Sequence, residues 1–275
     1  MNEARSDPLQ RIADALDRLA PEQATAPDLY AGPAFLWKGD QFKAVAELQA
    51  LPAHLLRGID RQRDTMVENV ARHARGDAAH DMLLWGARGM GKSALVRTAT
   101  ALAAQSHDVA LVQLAGDALQ TLDTLLEHLG RTERRFILFI DDLGFDAGKD
   151  QQMRALRSLL DGGIAARPDN VRLAVTTNRR AIVNRVSADQ NDPINAADMV
   201  SDALALADRF GLSLGFHNCD QATYLAIVAA YASHYDLLWS QADALEWAQR
   251  RGARSGRVAR HFITEIAGRA GIRLN

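Results

Sequence analysis

The sequence predicts an α/β protein: a five-stranded parallel sheet flanked by helices, with a helical N-terminal extension and a small, all-helical C-terminal lid domain. Three observations lead to this fold class. Short apolar runs alternate with helical patterns in the middle of the chain, as expected for strands joined by crossover helices. A glycine-rich loop follows the first of these runs. After residue 216 only helical patterns remain.

The composition of the 275-residue chain is that of a globular protein, with 48% hydrophobic and 24% charged residues. These values exclude a disordered, collagenous or fibrous chain. The net charge of -2 excludes a global basic field for nucleic acid or anionic membranes. The single cysteine, Cys219, excludes an intramolecular disulfide. Because there is no signal pattern and no apolar run of about 18 residues, we expect a cytoplasmic protein without a membrane partner.

The first domain, residues 1–52, is predicted to be a helical extension. Apolar residues recur at three- and four-residue steps over 8–19, which indicates an amphipathic helix. Three prolines and two glycines predict a connector over 21–39. A second helix is expected over 40–51.

The second domain, residues 53–216, contains the predicted sheet. It opens with a helical pattern over 61–75 that ends at Gly76. Its strands are runs of consecutive apolar residues, which are typical of a sheet covered by helices on both faces. They span residues 82–85, 109–114, 136–141, 171–176 and 212–216. The third domain, residues 217–275, has helical patterns at 220–235, 237–250 and 256–270.

The loop after the first predicted strand matches the phosphate-loop pattern G-x-x-x-x-G-K-S/T and is followed by a helix that begins near Ala94. Glycines let such a backbone wrap phosphates, and the helix presents its positive end to them. We expect Lys92 to reach the β- and γ-phosphates of ATP and Ser93 to bind Mg²⁺. A structural glycine turn is the alternative. The loop residues are Gly86, Ala87, Arg88, Gly89, Met90, Gly91, Lys92 and Ser93.

Two carboxylates, Asp141 and Asp142, follow the third predicted strand. The carboxyl ends of parallel strands are where α/β sheets bind ligands. Asp141 is therefore expected to hold Mg²⁺, and Asp142 to orient or deprotonate a water molecule. A solvated strand end or a helix cap would explain isolated aspartates as well. Asp146 is a weaker substitute for Asp142.

The glycine-rich loop and the two acids correspond to the Walker A and Walker B motifs. Together with them, three later segments resemble motifs of the AAA+ ATPases. They are Thr176-Thr177-Asn178 (sensor 1), Ala207-Asp208-Arg209-Phe210-Gly211-Leu212 (arginine finger) and Arg254-Ser255-Gly256-Arg257-Val258-Ala259-Arg260 (sensor 2). The resemblance runs from about residue 55 to the C-terminus. More narrowly, residues 136–148, 162–170 and 255–260 resemble a bacterial AAA+ family whose cellular role is unassigned.

The resemblance implies roles for five more residues. Asn178 would bind the γ-phosphate or the attacking water, and Arg257 would reach the phosphates from the lid. Arg209 would enter the site of a neighbouring subunit, so a homo-oligomer is implied when ATP is bound. Ile59 and Ile227 would flank adenine. The structural alternatives are a helix cap for Asn178, an exposed charge for Arg257 and a local ion pair for Arg209. For the two isoleucines, the alternative is a position in the core.

The resemblance leads to the hypothesis of an ATPase that couples nucleotide state to lid motion and assembly. One departure concerns Asp142, which stands where most AAA+ proteins have Glu. Replication initiators of this class also have Asp-Asp, but the shorter side chain favours slow turnover. The alternative hypothesis is therefore a nucleotide-gated loader or adaptor that recruits an unknown protein partner, or a nucleic acid. A small-molecule kinase is a weaker interpretation, since no acceptor-binding insertion is identifiable.

A cluster of arginines near the C-terminus is the one local site where nucleic acid would bind. Sensor 2 already accounts for part of this cluster, with Arg254 as a substitute for Arg257. The cluster consists of Arg250, Arg251, Arg254, Arg257 and Arg260.

Overall fold

A computed structural model describes residues 28–115, 118–143, 156–157, 159–160, 167–178 and 207–274. The helix expected over 8–19 and the substitute acid Asp146 lie outside the described residues. Within the described ranges, no helix is long and apolar enough to cross a bilayer.

The centre of the molecule is a seven-stranded sheet in the order β2-β1-β4-β5-β6-β3-β7. All neighbouring strands run parallel except β1 and β2. The sequence thus correctly predicts the α/β class and the mainly parallel sheet. The strands are β1 (Ala34–Trp37), β2 (Phe42–Val45), β3 (Met82–Gly86), β4 (Val109–Leu114), β5 (Arg135–Ile140), β6 (Val171–Thr177) and β7 (Leu212–Phe216).

The expectation of five strands is wrong, because two strands precede the predicted five. The connector expected over 21–39 contains β1, which pairs with β4 across more than 70 residues of sequence. The helix expected over 40–51 is also wrong, since β2 lies there as the edge strand. Phe42 packs its ring on Trp37 at 4.7 Å between centroids, which fixes the β1–β2 hairpin. The described part of the N-terminal region therefore extends the sheet.

Six helices lie within the described residues, together with 3₁₀ turns at Ala53–Leu55 and Ala118–Thr121. Apolar clusters on both faces of the sheet explain why its strands are apolar at successive positions. One cluster joins α1 and α2 to the sheet, and the other joins α3. The helices are α1 (Asp60–Arg75), α2 (Lys92–Ala104), α3 (Leu122–Gly130), α4 (Gln221–His234), α5 (Gln241–Arg250) and α6 (Gly256–Arg269).

The last three helices form a bundle with a core of its own, built on buried residues such as Tyr224, Val228 and Phe262. Each of these helices begins at an oxygen-bearing cap that accepts a hydrogen bond from the backbone three residues later: Asp220, Ser240 and Ser255. We call α4–α6 the helical bundle. The predicted limits of the three domains, at residues 52 and 216, stay predictions.

A buried arginine ties the N-terminal segment to the sheet. The guanidinium of Arg134 is 8% exposed and donates hydrogen bonds to the carbonyls of Leu29 and Gly32. It also forms an ion pair with Asp108. These bonds place the chain so that it enters β1 beside β4.

Candidate functional site

The glycine-rich loop lies where β3 ends and α2 begins. Gly86, Gly89 and Gly91 all have positive φ angles, of 118°, 74° and 91°, which side chains disfavour. A Cβ on Gly86 would lie 2.1 Å from the carbonyl oxygen of Phe216. Only glycine therefore lets β3 turn this closely past the end of β7.

Lys92, the first residue of α2, is 6% exposed and folds back into the loop. Its Nζ donates hydrogen bonds to the carbonyls of Gly86 and Ala87 and to Oδ1 of Asn178, each at 2.9 Å. Burial lowers the pKa of Lys92, while Asp142 and Asp141 oppose that shift. The positive charge of the exposed Arg88 guanidinium also lowers the pKa of Lys92. The amine is thus confined between the loop and the end of β6.

Ser93 and Asp141 face each other across the loop. The Ser93 hydroxyl donates to Oδ1 of Asp141 at 2.7 Å. A hydroxyl and a carboxylate oxygen are the hard donors that Mg²⁺ prefers. Their direct contact makes the pair suitable to hold that ion together with phosphate oxygens.

Asp142 has a left-handed backbone, with φ of 54°, which is uncommon for a residue with a side chain. Its Oδ1 accepts a hydrogen bond from Nδ2 of Asn178, and its backbone N–H donates to the Thr176 hydroxyl at 2.8 Å. Thr176 in turn donates to Asp141 at 2.6 Å. The sequence motif named Asn178 but assigned no role to Thr176. Only the pairing of β5 with β6 reveals that role.

An apolar cavity of about 140 Å³ opens beside the loop. Ile59 and Ile227, the residues expected to flank adenine, both line it. So do Met90, Gly91 and Ala94 from the loop and α2. The remaining walls come from Gly89 of the loop, from the chain before α1 and from α4 and α6: Leu51, Leu55, Leu56, Arg57, Tyr231, Gly256, Arg257 and Arg260.

Arg257 stands at the N-terminal end of α6, directly against the glycine-rich loop. Its backbone N–H donates to the Gly89 carbonyl at 3.0 Å, and its side chain is exposed at the rim of the cavity. A Cβ on Gly89 would lie 3.0 Å from the Cβ of Arg257 and from the Ser255 hydroxyl. Gly89 is therefore where the helical bundle contacts the loop.

Arg209 is exposed and lies away from this cluster. It precedes β7, whose first residue pairs with Met82 at the start of β3. Arg209 is thus at the amino edge of the sheet, while the glycine-rich loop leaves the carboxyl edge. The structure brings together the other predicted catalytic and metal residues but not this one.

A glycine-rich loop with a buried lysine, two acids at the end of a strand two places away in the sheet and a C-terminal helical bundle define the P-loop proteins of the AAA+ class. Among solved structures, the chain is similar to the RuvB Holliday junction branch migration motor of Thermotoga maritima. They share 20% identity with a TM-score of 0.50 over 80% of this chain and 70% of that one. It is also similar to the Aeropyrum pernix ORC1 protein, determined in complex with DNA, at 16% identity and a TM-score of 0.52 over 79% and 64% of the chains.

At these identities the likeness concerns the fold. No curated protein matches the chain. The chain belongs to the family described as "Protein of unknown function (DUF815)", whose profile matches residues 31–270. This agrees with the resemblance to a bacterial AAA+ family of unassigned role.

Proposed function

We propose that the protein binds and hydrolyses ATP with Mg²⁺, and couples the nucleotide state to movement of the helical bundle and to assembly. One observation carries the proposal: the side chains of Lys92, Ser93, Asp141, Asp142 and Asn178 converge at the carboxyl edge, beside an apolar cavity. Such a cavity suits the adenine ring of a nucleotide, and the neighbouring loop suits the phosphates of that nucleotide.

The chain's own residues account for the chemistry of hydrolysis. In the proposed reaction, Lys92 exchanges its loop carbonyls for phosphate oxygens and neutralises their charge. Asp142 accepts a proton from the attacking water, and Asn178 orients that water or the γ-phosphate. When bound, Mg²⁺ supplies further neutralisation of phosphate charge, with Ser93 and Asp141 as its protein ligands.

Coupling to the helical bundle is supported by the contact between Gly89 and Arg257. The loop that would surround the phosphates is hydrogen-bonded to the first turn of α6. Any shift of the loop on nucleotide binding would therefore displace α6, and with it the Arg257 guanidinium. Leu55 strengthens this link, because it lies just before α1 and is buried in the core of the helical bundle.

Assembly is supported by the position of Arg209. An exposed arginine at the amino edge of the sheet is placed to serve another copy's site rather than its own. The proposed ATP-bound state is therefore a homo-oligomer.

A slow, nucleotide-gated loader or adaptor is the second candidate, and the bond between Asp142 and Asn178 favours it. That bond occupies one oxygen of the carboxylate needed for water activation, and the aspartate side chain is short. The partner that we favour is a protein, because a net charge of -2 provides no general attraction for nucleic acid. Two arginines of the basic cluster are already engaged, Arg250 with Glu246 and Arg251 over the ring of Trp247.

Phosphate release from Mg-ATP, measured over a range of protein concentrations, tests the proposal. We expect activity per chain to rise with concentration and to be lost in Lys92→Ala and Asp142→Asn. Lys43→Ala is the matched control, because Lys43 is exposed on β2. ATP binding with scarcely any hydrolysis at all concentrations would favour the gated module, and absence of ATP binding would refute both functions.

Mixing two inactive variants tests the trans role of Arg209. A Lys92→Ala chain lacks its own phosphate contact but still carries Arg209. When these chains are mixed with Arg209→Ala chains, each Lys92→Ala chain should supply its Arg209 to the intact loop of a neighbouring Arg209→Ala chain. Activity should then be restored at those loops. Failure to restore activity, although both variants fold and assemble, would exclude the trans assignment.

A further inference from the structure

One buried hydroxyl connects the two acids that follow β5. Thr176 is 1% exposed. Its Oγ1 donates to Oδ1 of Asp141 at 2.6 Å and accepts the backbone N–H of Asp142 at 2.8 Å. A threonine hydroxyl has one donor hydrogen, and here that hydrogen is committed to the carboxylate.

These two bonds fix different features of the site. The bond to Asp141 orients the same oxygen that receives the Ser93 hydroxyl, so it sets how the proposed metal ligand faces the loop. The bond to Asp142 holds a backbone with φ of 54°, which costs free energy and needs support from its surroundings. The turn is also held by the N–H of Leu143, which donates to the Thr176 carbonyl at 2.8 Å.

We propose that Thr176 is a positioning residue that aligns both acids with a single hydroxyl, Asp141 toward Mg²⁺ and Asp142 toward the attacking water. This inference rests on the function proposed above. Residues that orient metal ligands typically change metal affinity or activity by about 10- to 100-fold when removed. In this role Thr176 acts through the two acids and is assigned no contact with the nucleotide or the ion.

Three variants separate positioning from packing. Thr176→Val keeps the shape and removes the hydroxyl, whereas Thr176→Ser keeps the hydroxyl. Thr100→Val is the matched control, because Thr100 is also fully buried and its hydroxyl donates only to the Val96 carbonyl of its own helix. Thr176→Ala provides a second hydroxyl-free variant if the valine variant does not fold.

The main readout is the affinity of a fluorescent ATP analogue titrated with and without Mg²⁺, with phosphate release measured in parallel. For Thr176→Val we expect the Mg²⁺ concentration for half-maximal effect to rise about 10-fold or more and kcat to fall by a similar factor. Analogue affinity without Mg²⁺ should stay unchanged. Thr176→Ser should restore most of both losses, and Thr100→Val should behave as the wild type.

Specific results would overturn the inference. Unchanged Mg²⁺ dependence and kcat in the hydroxyl-free variants would remove the positioning role. So would a serine variant as impaired as the valine variant, because the hydroxyl would then be irrelevant. If the wild-type protein itself shows no Mg²⁺-dependent binding of the analogue, the proposed function fails instead, which distinguishes the two failures.

Discussion

Two asparagines flank strand β6, and their amides bind different kinds of partners. Asn170, at the amino edge, contacts the backbone carbonyls of Leu129, Thr132 and Arg134 at 2.8–2.9 Å. Asn178, at the carboxyl edge, bonds within the described part of the chain to the side chains of Lys92 and Asp142. A backbone carbonyl is held in place by the fold and stays beside its donor, whereas a side chain can exchange one hydrogen-bond partner for a ligand.

Other residues at the two edges show the same contrast, although Lys92 also donates to two loop carbonyls and Arg134 also pairs with the Asp108 side chain. At the amino edge, Arg134 donates to the carbonyls of Leu29 and Gly32, and His73 bonds to the Phe136 carbonyl at 3.1 Å. At the carboxyl edge, Ser93 bonds to the side chain of Asp141. We infer that the amino edge stabilises the fold and that the carboxyl edge is adapted to exchange partners.

The largest effect is expected for Asn178→Ala. Removing one group that orients the reacting atoms typically lowers kcat by about 10²- to 10³-fold. Unfolding temperature should change little, because no backbone group among the described residues loses its partner. Single-turnover phosphate release and thermal unfolding, measured on the same sample, check both expectations. A large loss of stability would contradict the contrast between the edges.

Asn170→Ala should give the opposite result. Three backbone carbonyls lose the two donor hydrogens that they share, so the free energy of unfolding should fall by about 2 kcal/mol. Activity per folded molecule should stay at the wild-type level. Urea unfolding, together with activity corrected for the folded fraction, measures this. A wild-type midpoint, or a loss of kcat, would show that the amino edge has a different role.

A pH-dependent effect is expected at His73, which is 1% exposed. Burial, followed by the charges of Arg172 and Arg135, lowers its pKa from 6.5 to about 4. Between these two pH values the unfolded chain binds one more proton than the folded chain. The contribution of neutral His73 to the free energy of unfolding is therefore fully present above pH 6.5 and declines as the pH falls toward 4. From pH 7 to pH 5 the loss should be about 2 kcal/mol.

His73→Gln isolates this contribution, because the glutamine amide can still donate to the Phe136 carbonyl but does not titrate in this range. The difference in unfolding free energy between pH 7 and pH 5 should be smaller in the variant than in the wild type. Equal pH dependence in the two proteins would exclude His73 as the source.

The smallest effect is expected for Arg250→Ala in the helical bundle. Its guanidinium pairs with Glu246, and both side chains are exposed. Exposed pairs contribute little to stability because water and salt screen them. Neither the unfolding temperature nor phosphate release should change measurably. A clear drop in activity would identify the basic cluster as a functional surface and revise the contrast, which assigns partner exchange to the carboxyl edge.

The sequence identified those site residues whose pattern lies within one short segment of the chain. Glycines beside Lys92, and two acids ending an apolar run, are patterns that a single segment contains. Thr176 and Asn170 had no such signal. Their importance depends on which atoms of other strands lie beside them, and threonine and asparagine occur in many structural settings.

By itself, the sequence determined the α/β class, five of the seven strands and the loop that surrounds Lys92. These features follow from local patterns: consecutive apolar residues, helical periodicity and closely spaced glycines before Lys92. The tertiary structure alone decided that β1 and β2 extend the sheet, that Arg209 lies at the edge opposite Lys92, and that one hydroxyl of Thr176 serves two acids. Those features arise from contacts between residues far apart in the chain, where the energy of a pairing depends on both partners at once.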